Sequence, residues 1–444
     1  MKLGLIAMSG LRVQNEALAK LGLTLPGFIE RKNVIASLPS LGLLTLAGLT
    51  SPDVDITYIE LNDFKSDSVI PEEFDVVAIS SFTAQINAAY QLADKYRQHG
   101  TKVILGGLHV TALPDEAAQH ADAVLIGEGE VYWQQILNDL KKGNLKAVYD
   151  ARGKEYDLAL SPLPRYELLD IDRYNRLTVQ TQRGCTFKCE FCASSILLTP
   201  KYKTKPIQNV IDEINHIKSI WHNPFIELAD DNSFANKAHA KRLVSALSAL
   251  DVKWFTETDV SVADDNELLS MLADSGCRQL LIGFESPTSQ GLHGIELKTN
   301  WKEKQRDRYM EAIYKIQNHG ISVNGCFILG LDGQDTSIFD ETLSFVNDSE
   351  LSEVQITLQT PFPGTELYQR LHRSGRLLED TFWDKCTLFD VTYQPNQMSV
   401  EELESGFHKL MKSIYRDELV HNRKQTFIRN ARQQRKIKQG TLRI

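Results

Sequence analysis

Along the first third of the chain, apolar positions gather into short blocks. "KLGLIAM", "DITYIE", "VVAIS", "KVILGG" and "AVLIG" have strand length, and the stretches between them, such as "TAQINAAYQLADKYRQHG", carry helical spacing. Runs that are apolar on both sides predict parallel strands covered by crossover helices, a doubly wound, Rossmann-like α/β sheet. Ligands of such sheets gather beyond the strand C-termini. Three loops fall there: the one after Ile6, "SSFTAQ" after Ile79 and "GGLHVTALP" after Leu105. Their small residues either form tight strand-to-helix turns or let a large ligand approach the backbone. In "GEGE", after the fifth run, Glu128 and Glu130 serve either as electrostatic caps of the next helix or as catalytic acids.

The alternation stops over "KGNLKAVYDARGKEYDLALSPLPRYELLD", whose glycines and prolines predict a connector containing an edge hairpin. It resumes at a larger scale with "LTVQTQ", "FIELAD", "KWFTETDV", "QLLIGFES", "SVNGCFILG" and "VQITLQTPF". Between these lie helical patterns such as "IQNVIDEINHIKSIWH", "NKAHAKRLVSALSAL" and "RDRYMEAIYKIQNHG". Six strand-helix units predict a partial (β/α)6 barrel, with reactive groups at its C-terminal rim. The expected division is a Rossmann-like domain over residues 1–145, a linker over 146–169, a barrel over 170–376 and a mainly helical domain over 377–444. The last of these is expected to cover the barrel mouth. In "PFPGT", Pro361 and Pro363 stiffen the rim around Gly364, and Thr365 is placed to cap the next helix.

A chain of 444 residues supports two substantial cores and an appendage. Its net charge of -9 gives no argument for a nucleic-acid partner. The start lacks the pattern of a secretory signal, and the apolar piece "LPSLGLLTLAGL" is too short to cross a bilayer. A cytoplasmic protein in a reducing compartment is expected, so clustered cysteines point to metal binding and not to disulfides.

Cys185, Cys189 and Cys192 in "RGCTFKCEFCASS" have C-x3-C-x2-C spacing, which lets one loop fold three soft ligands around a metal centre. A fourth thiolate would complete an ordinary iron-sulfur or zinc site; three leave a coordination position open. The competing reading is zinc completed by a remote histidine, yet His216 and His222 form no finger-like pattern with the cysteines. Cys277, Cys326 and Cys386 stand apart and read as small apolar core residues. Glu257 and Asp259 either face the barrel interior or cap a strand end.

With this motif after the first barrel strand and "QRGC" leading into it, the chain resembles the radical S-adenosylmethionine family. The resemblance implies that Cys185, Cys189 and Cys192 hold a [4Fe-4S] cluster whose remaining iron chelates S-adenosylmethionine. Reductive cleavage then yields a 5'-deoxyadenosyl radical able to abstract hydrogen from an unactivated carbon. It implies a place for Phe191 near the adenine, against a plainer role as an apolar anchor; Lys188 tunes or shields the loop. Asp230 and Asp231 in "LADDNSF" occupy the position of the family's glycine-rich acidic motif for the methionine amino group, from which the local sequence departs. Gly283, Glu285 and Ser286 in "GFES" match a position contacting the nucleoside or methionine portion. Helix capping or a solvated turn is the alternative for the two aspartates, and strand packing or capping for Gly283, Glu285 and Ser286.

"PSLGLLTLAGL", "GGLHVTALP" and "DAVLIGEGE" resemble sequence blocks of the cobalamin-binding branch of that family. A complete DxHxxG motif is missing, which implies cobalamin without a protein histidine as lower ligand; His109 is the one candidate near its lower face. The other reading is a first domain kept for architecture and substrate binding. "FILGLDGQDTSIFDETLSFV", "QITLQTPFPGTELYQRL" and "FDVTYQPNQMSVEELESGF" are similar to the branch containing hopanoid C-2 methyltransferases. The implied activity is C-methylation of an unactivated carbon in a large or apolar substrate, as in lipid biosynthesis, with electrons from a ferredoxin, flavodoxin or reductase. A radical cyclase or ring-rearranging enzyme is the enzymatic alternative, and a noncatalytic B12-responsive binding protein the other. From His421 onward, Arg423, Lys424, Arg429, Arg432, Arg435, Lys436, Lys438 and Arg443 form either a weak contact with the inner membrane surface or an exposed soluble tail.

Overall fold

The computed structural model describes residues 1–8, 38–61, 64–65, 68–194 and 201–438. Two parallel six-stranded sheets form its frame. The first contains β1 (Lys2–Met8), β2 (Asp55–Leu61), β3 (Val76–Ser81), β4 (Lys102–Gly106), β5 (Ala123–Ile126) and β6 (Val148–Asp150), in the order 2-1-3-4-5-6. The loops after β3, β4 and β5 face the second sheet. The loop after Ile6 lies beyond Met8, outside the described residues.

The expected edge hairpin is instead a single parallel strand: Val148 pairs with Val124, and the sheet runs past residue 145 into the connector. The chain reaches β6 from the helix Trp133–Lys141, so it re-enters the sheet in the crossover sense and not beside an antiparallel partner.

Helix α1 (Leu41–Leu49) begins where the Ser40 hydroxyl accepts the Leu43 N–H at 3.4 Å. It is apolar all round because it is buried on both sides. Leu43 and Leu46 pack on the first sheet with Trp133 of α4, while Leu44 joins the core of the second sheet. Helices α2 (Ile86–Gln98) and α3 (Leu108–Ala112) cover the opposite face, and α4 (Trp133–Lys141) lies beside α1.

The second sheet runs β7 (Leu177–Val179), β10 (Phe225–Leu228), β11 (Lys253–Thr258), β12 (Cys277–Glu285), β13 (Ser322–Leu329) and β14 (Glu353–Leu358). β7 and β14 are its free edges, so the expected partial barrel is open. "LTVQTQ" is shorter as a strand than expected: it leaves the sheet after Val179. β8 (Gln182–Arg183) then pairs antiparallel with β9 (Lys203–Thr204). Around the barrel lie α5 (Ile207–Ile220), α6 (Lys237–Ser248), α7 (Asn266–Asp274), α8 (Tyr309–Asn318) and α9 (Ile338–Asp348). α10 (Glu366–Arg373) follows "PFPGT", and Thr365 caps it by accepting the Tyr368 N–H at 3.2 Å.

The C-terminal helices do not cover the mouth. α11 (Val400–Ile414) packs on the outer face, where Leu403, Phe407 and Leu410 join the barrel core, and α12 (Asp417–Lys438) continues along β14. There Lys424 pairs with Glu353 at 3.3 Å. The segment that reaches the rim is the one before them. The Leu388 carbonyl accepts the Leu358 N–H at 2.8 Å, and Phe382, Trp383 and Cys386 enter the core of the first domain. Apolar helix faces on the barrel wall explain this placement: α11 buries its stripe against α9 and has none left for the rim.

Candidate active site

Three thiols hang from one loop at the barrel rim. At its start, buried Asp230 accepts the Thr181 N–H at 2.7 Å, the Thr181 hydroxyl at 2.6 Å and the Gln182 N–H at 3.1 Å. These bonds draw the chain off the sheet after β7. Asp231 then accepts the Gly184 N–H at 2.8 Å and the Ser194 hydroxyl at 2.5 Å, bracketing the loop at both ends. Gly184 has φ +83°, a turn that a side chain would strain.

A second segment straps the loop from outside. The Glu190 N–H reaches the Ile295 carbonyl at 2.9 Å, the Leu297 N–H reaches the Lys188 carbonyl at 2.8 Å, and Phe187 stacks on Trp301 at 4.4 Å. The strap is organised by Glu296. Burial opposes its charge, but the N–H groups of Thr299, Lys298 and Trp301 and the Thr299 hydroxyl outweigh burial and bring the carboxyl down to about 2. Between the second and third cysteines, Glu190 takes a bidentate pair from Arg370 of α10, at 3.0 and 2.8 Å.

The thiols themselves are unfavourable as anions without a cation. Burial pushes Cys185 up, and pushes Cys189 up to about 12. Among the described residues no three His, Cys, Asp or Glu side chains converge on a point that a single ion would fill. Three soft donors on one clamped loop fit a polynuclear iron-sulfur cluster, in which each thiolate takes a different iron.

The other rim positions divide. Asp230 is a buried clamp and has no free donor site for a ligand, whereas Asp231 faces the cavity described below. Glu285 has φ +63° at a register shift between β12 and β13, and it binds Lys302 at 2.7 Å. Lys302 also donates to the Gly283 carbonyl at 2.9 Å. A Cβ at Gly283 would stand 2.3 Å from the Glu285 carboxylate, so this glycine makes room for that ion pair. Ser286 is buried, with its hydroxyl 3.1 Å from Thr288 and 3.3 Å from Gln334, as a packed turn requires. Phe191 packs with Leu367, Leu371 and Tyr393, the anchoring role.

Across from the loop, a cavity of about 550 Å³ opens between the sheets. Its first-domain wall is made of Ser80, Ser81, Gly106, Gly107 and Gly127; its barrel wall includes Thr178, Arg183, Ser194, Glu227 and Asp231. The loops after β3 and β4 thus carry small residues for a ligand face as well as for a turn. A Cβ at Gly107, where φ is +106°, would stand 3.2 Å from the Ser80 hydroxyl. His109 is not on this wall. Leu108 takes that position, and one residue further round α3 His109 is buried, its Nε2 3.1 Å from Glu116 and its ring 5.3 Å from Trp383. His109 is therefore withdrawn as a lower-face candidate: the turn of the helix points it into the core.

"GEGE" has a role that neither expectation covered. Neither acid caps the following helix through its side chain. Glu128 pairs with Arg183 at 2.9 Å and Lys203 at 2.7 Å, and Glu130 also pairs with Arg183. Burial resists the charge of Glu128, but Lys203, the Tyr156 N–H and Arg183 hold its carboxyl below the ordinary range. Arg183 precedes Cys185 by two residues, so this network joins the first domain directly to the cysteine loop.

Residues 179–346 match the model of the radical SAM superfamily and residues 33–137 that of the B12 binding domain, in the places where the loop and the cradle lie. The chain belongs to the cobalamin-dependent radical S-adenosylmethionine family. A domain of unknown function matches residues 365–443. Bacteriochlorophyllide d C-12(1)-methyltransferase of Chlorobaculum tepidum is 27% identical over 395 residues, 87% of this chain and 84% of the relative. Hopanoid C-2 methylase of Rhodopseudomonas palustris is 24% identical, over 78% of this chain and 67% of its own length. The fold is shared with the cobalamin-dependent S-adenosylmethionine radical enzyme OxsB, solved with aqua-cobalamin and S-adenosylmethionine bound. There the TM-score is 0.66 at 16% identity, covering 93% of this chain and 67% of that one.

The cofactors of this radical S-adenosylmethionine enzyme are accordingly a [4Fe-4S] cluster, S-adenosylmethionine and cobalamin. The residues fit them: a thiol loop for the cluster, and a glycine and serine floor for a flat macrocycle.

Proposed function

We propose that the chain is a C-methyltransferase that acts on an unactivated carbon of a large substrate with apolar bulk. The observation that carries this reading is the cavity running from Gly106 and Gly107 to Arg183, Ser194 and Asp231, because it joins the glycine floor of the first domain to residues that flank the cysteine loop. Bound together, the three cofactors supply a radical that removes a substrate hydrogen and a methyl group to replace it. The chain's part is positional. Asp231 and Glu296 hold the cysteine loop at its ends and its back, and Glu128 with Glu130 fixes Arg183, so the distance between the two cofactor regions is set by ion pairs.

The apolar share of the cavity wall, with Leu41, Leu43, Leu46, Ile104 and Trp133, favours a substrate with a broad hydrophobic surface. The two named relatives are a bacteriochlorophyllide d methyltransferase and a hopanoid methylase, and a substrate of either kind would suit such a wall. An external one-electron donor, a ferredoxin, flavodoxin or reductase, is required to renew the reduced metal centres. No described helix is long and apolar enough to cross a membrane. Peripheral contact through α12 rests on the outward-facing Arg429 and Arg432.

The test is anaerobic reconstitution with candidate lipids and tetrapyrroles, followed by mass spectrometry. Methylation gives a product heavier by one methylene, with both 5'-deoxyadenosine and S-adenosylhomocysteine. Deoxyadenosine without S-adenosylhomocysteine would replace this reading with cyclisation or rearrangement, and stable corrinoid binding without any cleavage would replace it with a binding protein.

A further inference from the structure

The barrel lumen is more polar than a hydrocarbon substrate requires. On β10 to β14 the outward positions are apolar: Ile226, Leu228, Trp254, Leu280, Val323, Phe327 and Ile356 all lie in the core under the helices. Strand alternation sends the intervening residues inward, and these include Glu227, Glu257, Asn324, Cys326 and Gln355. Two of them meet there: the Cys326 thiol lies 3.8 Å from the Gln355 amide oxygen.

Two inward side chains have no hydrogen-bond partner among the described residues. Asn324 is 1% exposed, and neither its amide nitrogen nor its amide oxygen is hydrogen-bonded. A buried carboxamide left in that state costs several hydrogen bonds, which is tolerable where a ligand supplies them. Glu257 is exposed on the lumen side of β11, and its carboxyl group has no hydrogen bond or ion pair among the described residues. Its neighbours are committed elsewhere, Glu227 to Arg176 at 2.5 Å and Glu285 to Lys302 at 2.7 Å.

Burial pushes the Glu257 carboxyl up to about 8, and Glu227, Asp231, Asp230 and Glu285 push in the same direction. The group facing the lumen near neutral pH is thus largely a neutral acid, able both to donate and to accept. The Asn324 and Gln355 carboxamides can do the same. A phosphate or carboxylate would meet this ring of acids unfavourably, and a hydrocarbon would leave three polar groups dry. A neutral partner that carries both N–H and C=O groups offers what each of these side chains can exchange.

We propose that Glu257, Asn324 and Gln355 form a subsite for a neutral hydrogen-bonding group of the methyl acceptor, of amide, lactam or imide type. The proposal rests on the methyltransferase reading for its assignment to the acceptor. The apolar bulk of the substrate then lies toward the interdomain cavity, with its polar edge in the lumen.

The experiment is saturation-transfer NMR on the oxidised, fully loaded protein with three probes of similar size: 2-piperidone, cyclohexanone and valerate. 2-Piperidone is expected to bind most tightly, and to bind about tenfold more weakly to E257L and to N324L, the weight of one hydrogen bond. E257Q, which still donates and accepts, is expected to retain it. Cluster and corrinoid content, with circular dichroism, identify any variant that fails to fold; E257Q and wild type then decide alone. Equal binding of 2-piperidone and cyclohexanone would overturn the proposal, as would preference for valerate or loss of binding in E257Q. A parallel fall in S-adenosylmethionine retention by E257L would reassign the residue to the cofactor and overturn it too. Failure to load cluster or corrinoid is a separate outcome that defeats the enzyme reading; the probe titration on the same protein still decides the lumen.

Discussion

The two sheets prepare their ligands by opposite means. The first domain offers little but backbone: Gly106, Gly107 and two serines leave a wide floor, and among the described residues no charged side chain of its own lines that floor except the pair turned to Arg183. The barrel rim instead holds its short cysteine loop with Asp230, Asp231, Glu296 and Arg370. A broad macrocycle needs area and clearance, whereas a small cluster needs three atoms held at fixed positions. Room is therefore the feature to attack in one domain and charge pairing in the other.

The largest effect is expected from Cys189→Ala, which should remove the cluster and all reductive cleavage while leaving corrinoid content intact. Iron and sulfide analysis with electron paramagnetic resonance reads both. If stoichiometric zinc is found in the wild type with no redox-active iron, the contrast fails at its root. Gly107→Val should do the reverse. A side chain at φ +106° carries about 1–3 kcal/mol of strain and fills the floor, so corrinoid loading should fall on the order of tenfold with iron content unchanged. Parallel loss of iron would show that the two regions do not assemble independently.

Glu257→Gln gives a smaller effect that depends on pH. The carboxyl titrates near 4.5 when unfolded and at about 8 when folded, so between these values the folded state binds more protons. Stability should fall as pH rises through that window, and the glutamine variant should lose the slope, matching wild type below it and exceeding wild type above it. Chemical denaturation across the window checks this; identical slopes would place the residue in bulk-like solvent. The smallest effect concerns the tail. Each basic charge near an anionic surface adds roughly 1 kcal/mol, but Lys424 is tied to Glu353 and the described outward charges are few. Liposome sedimentation should therefore drop only modestly on truncation at His421, and equal binding would remove the membrane role.

The strands were legible because each is a compact apolar run, and the cysteine loop because its spacing is local. What escaped were contacts between distant segments. Nothing near Glu296 marks it as the organiser of a strap, and Lys302 sits in "WKEKQ", which reads as a solvated helical surface. Glu128 and Glu130 looked like caps because their partner, Arg183, lies more than fifty residues away. His109 was misplaced for a related reason. A sequence block shows that a residue is near a ligand loop, but one step around a helix turns it by about 100° and decides which side it faces. The end of the chain was misjudged because its apolar stripes predict burial without naming the surface they bury against.

Helix α1 carries a consequence for dissection of the molecule. Leu43 and Leu46 belong to one core and Leu44 to the other, and a Cβ on Gly48 would stand 2.3 Å from the Leu163 carbonyl. A gene fragment cut at the connector would leave one side of this helix bare, an apolar strip prone to self-association. The corrinoid module is thus not portable in the manner of a bead on a string. A chimera that exchanges substrate barrels has to bring residues 38–50 and the connector along as one cassette, or else inherit an insoluble seam.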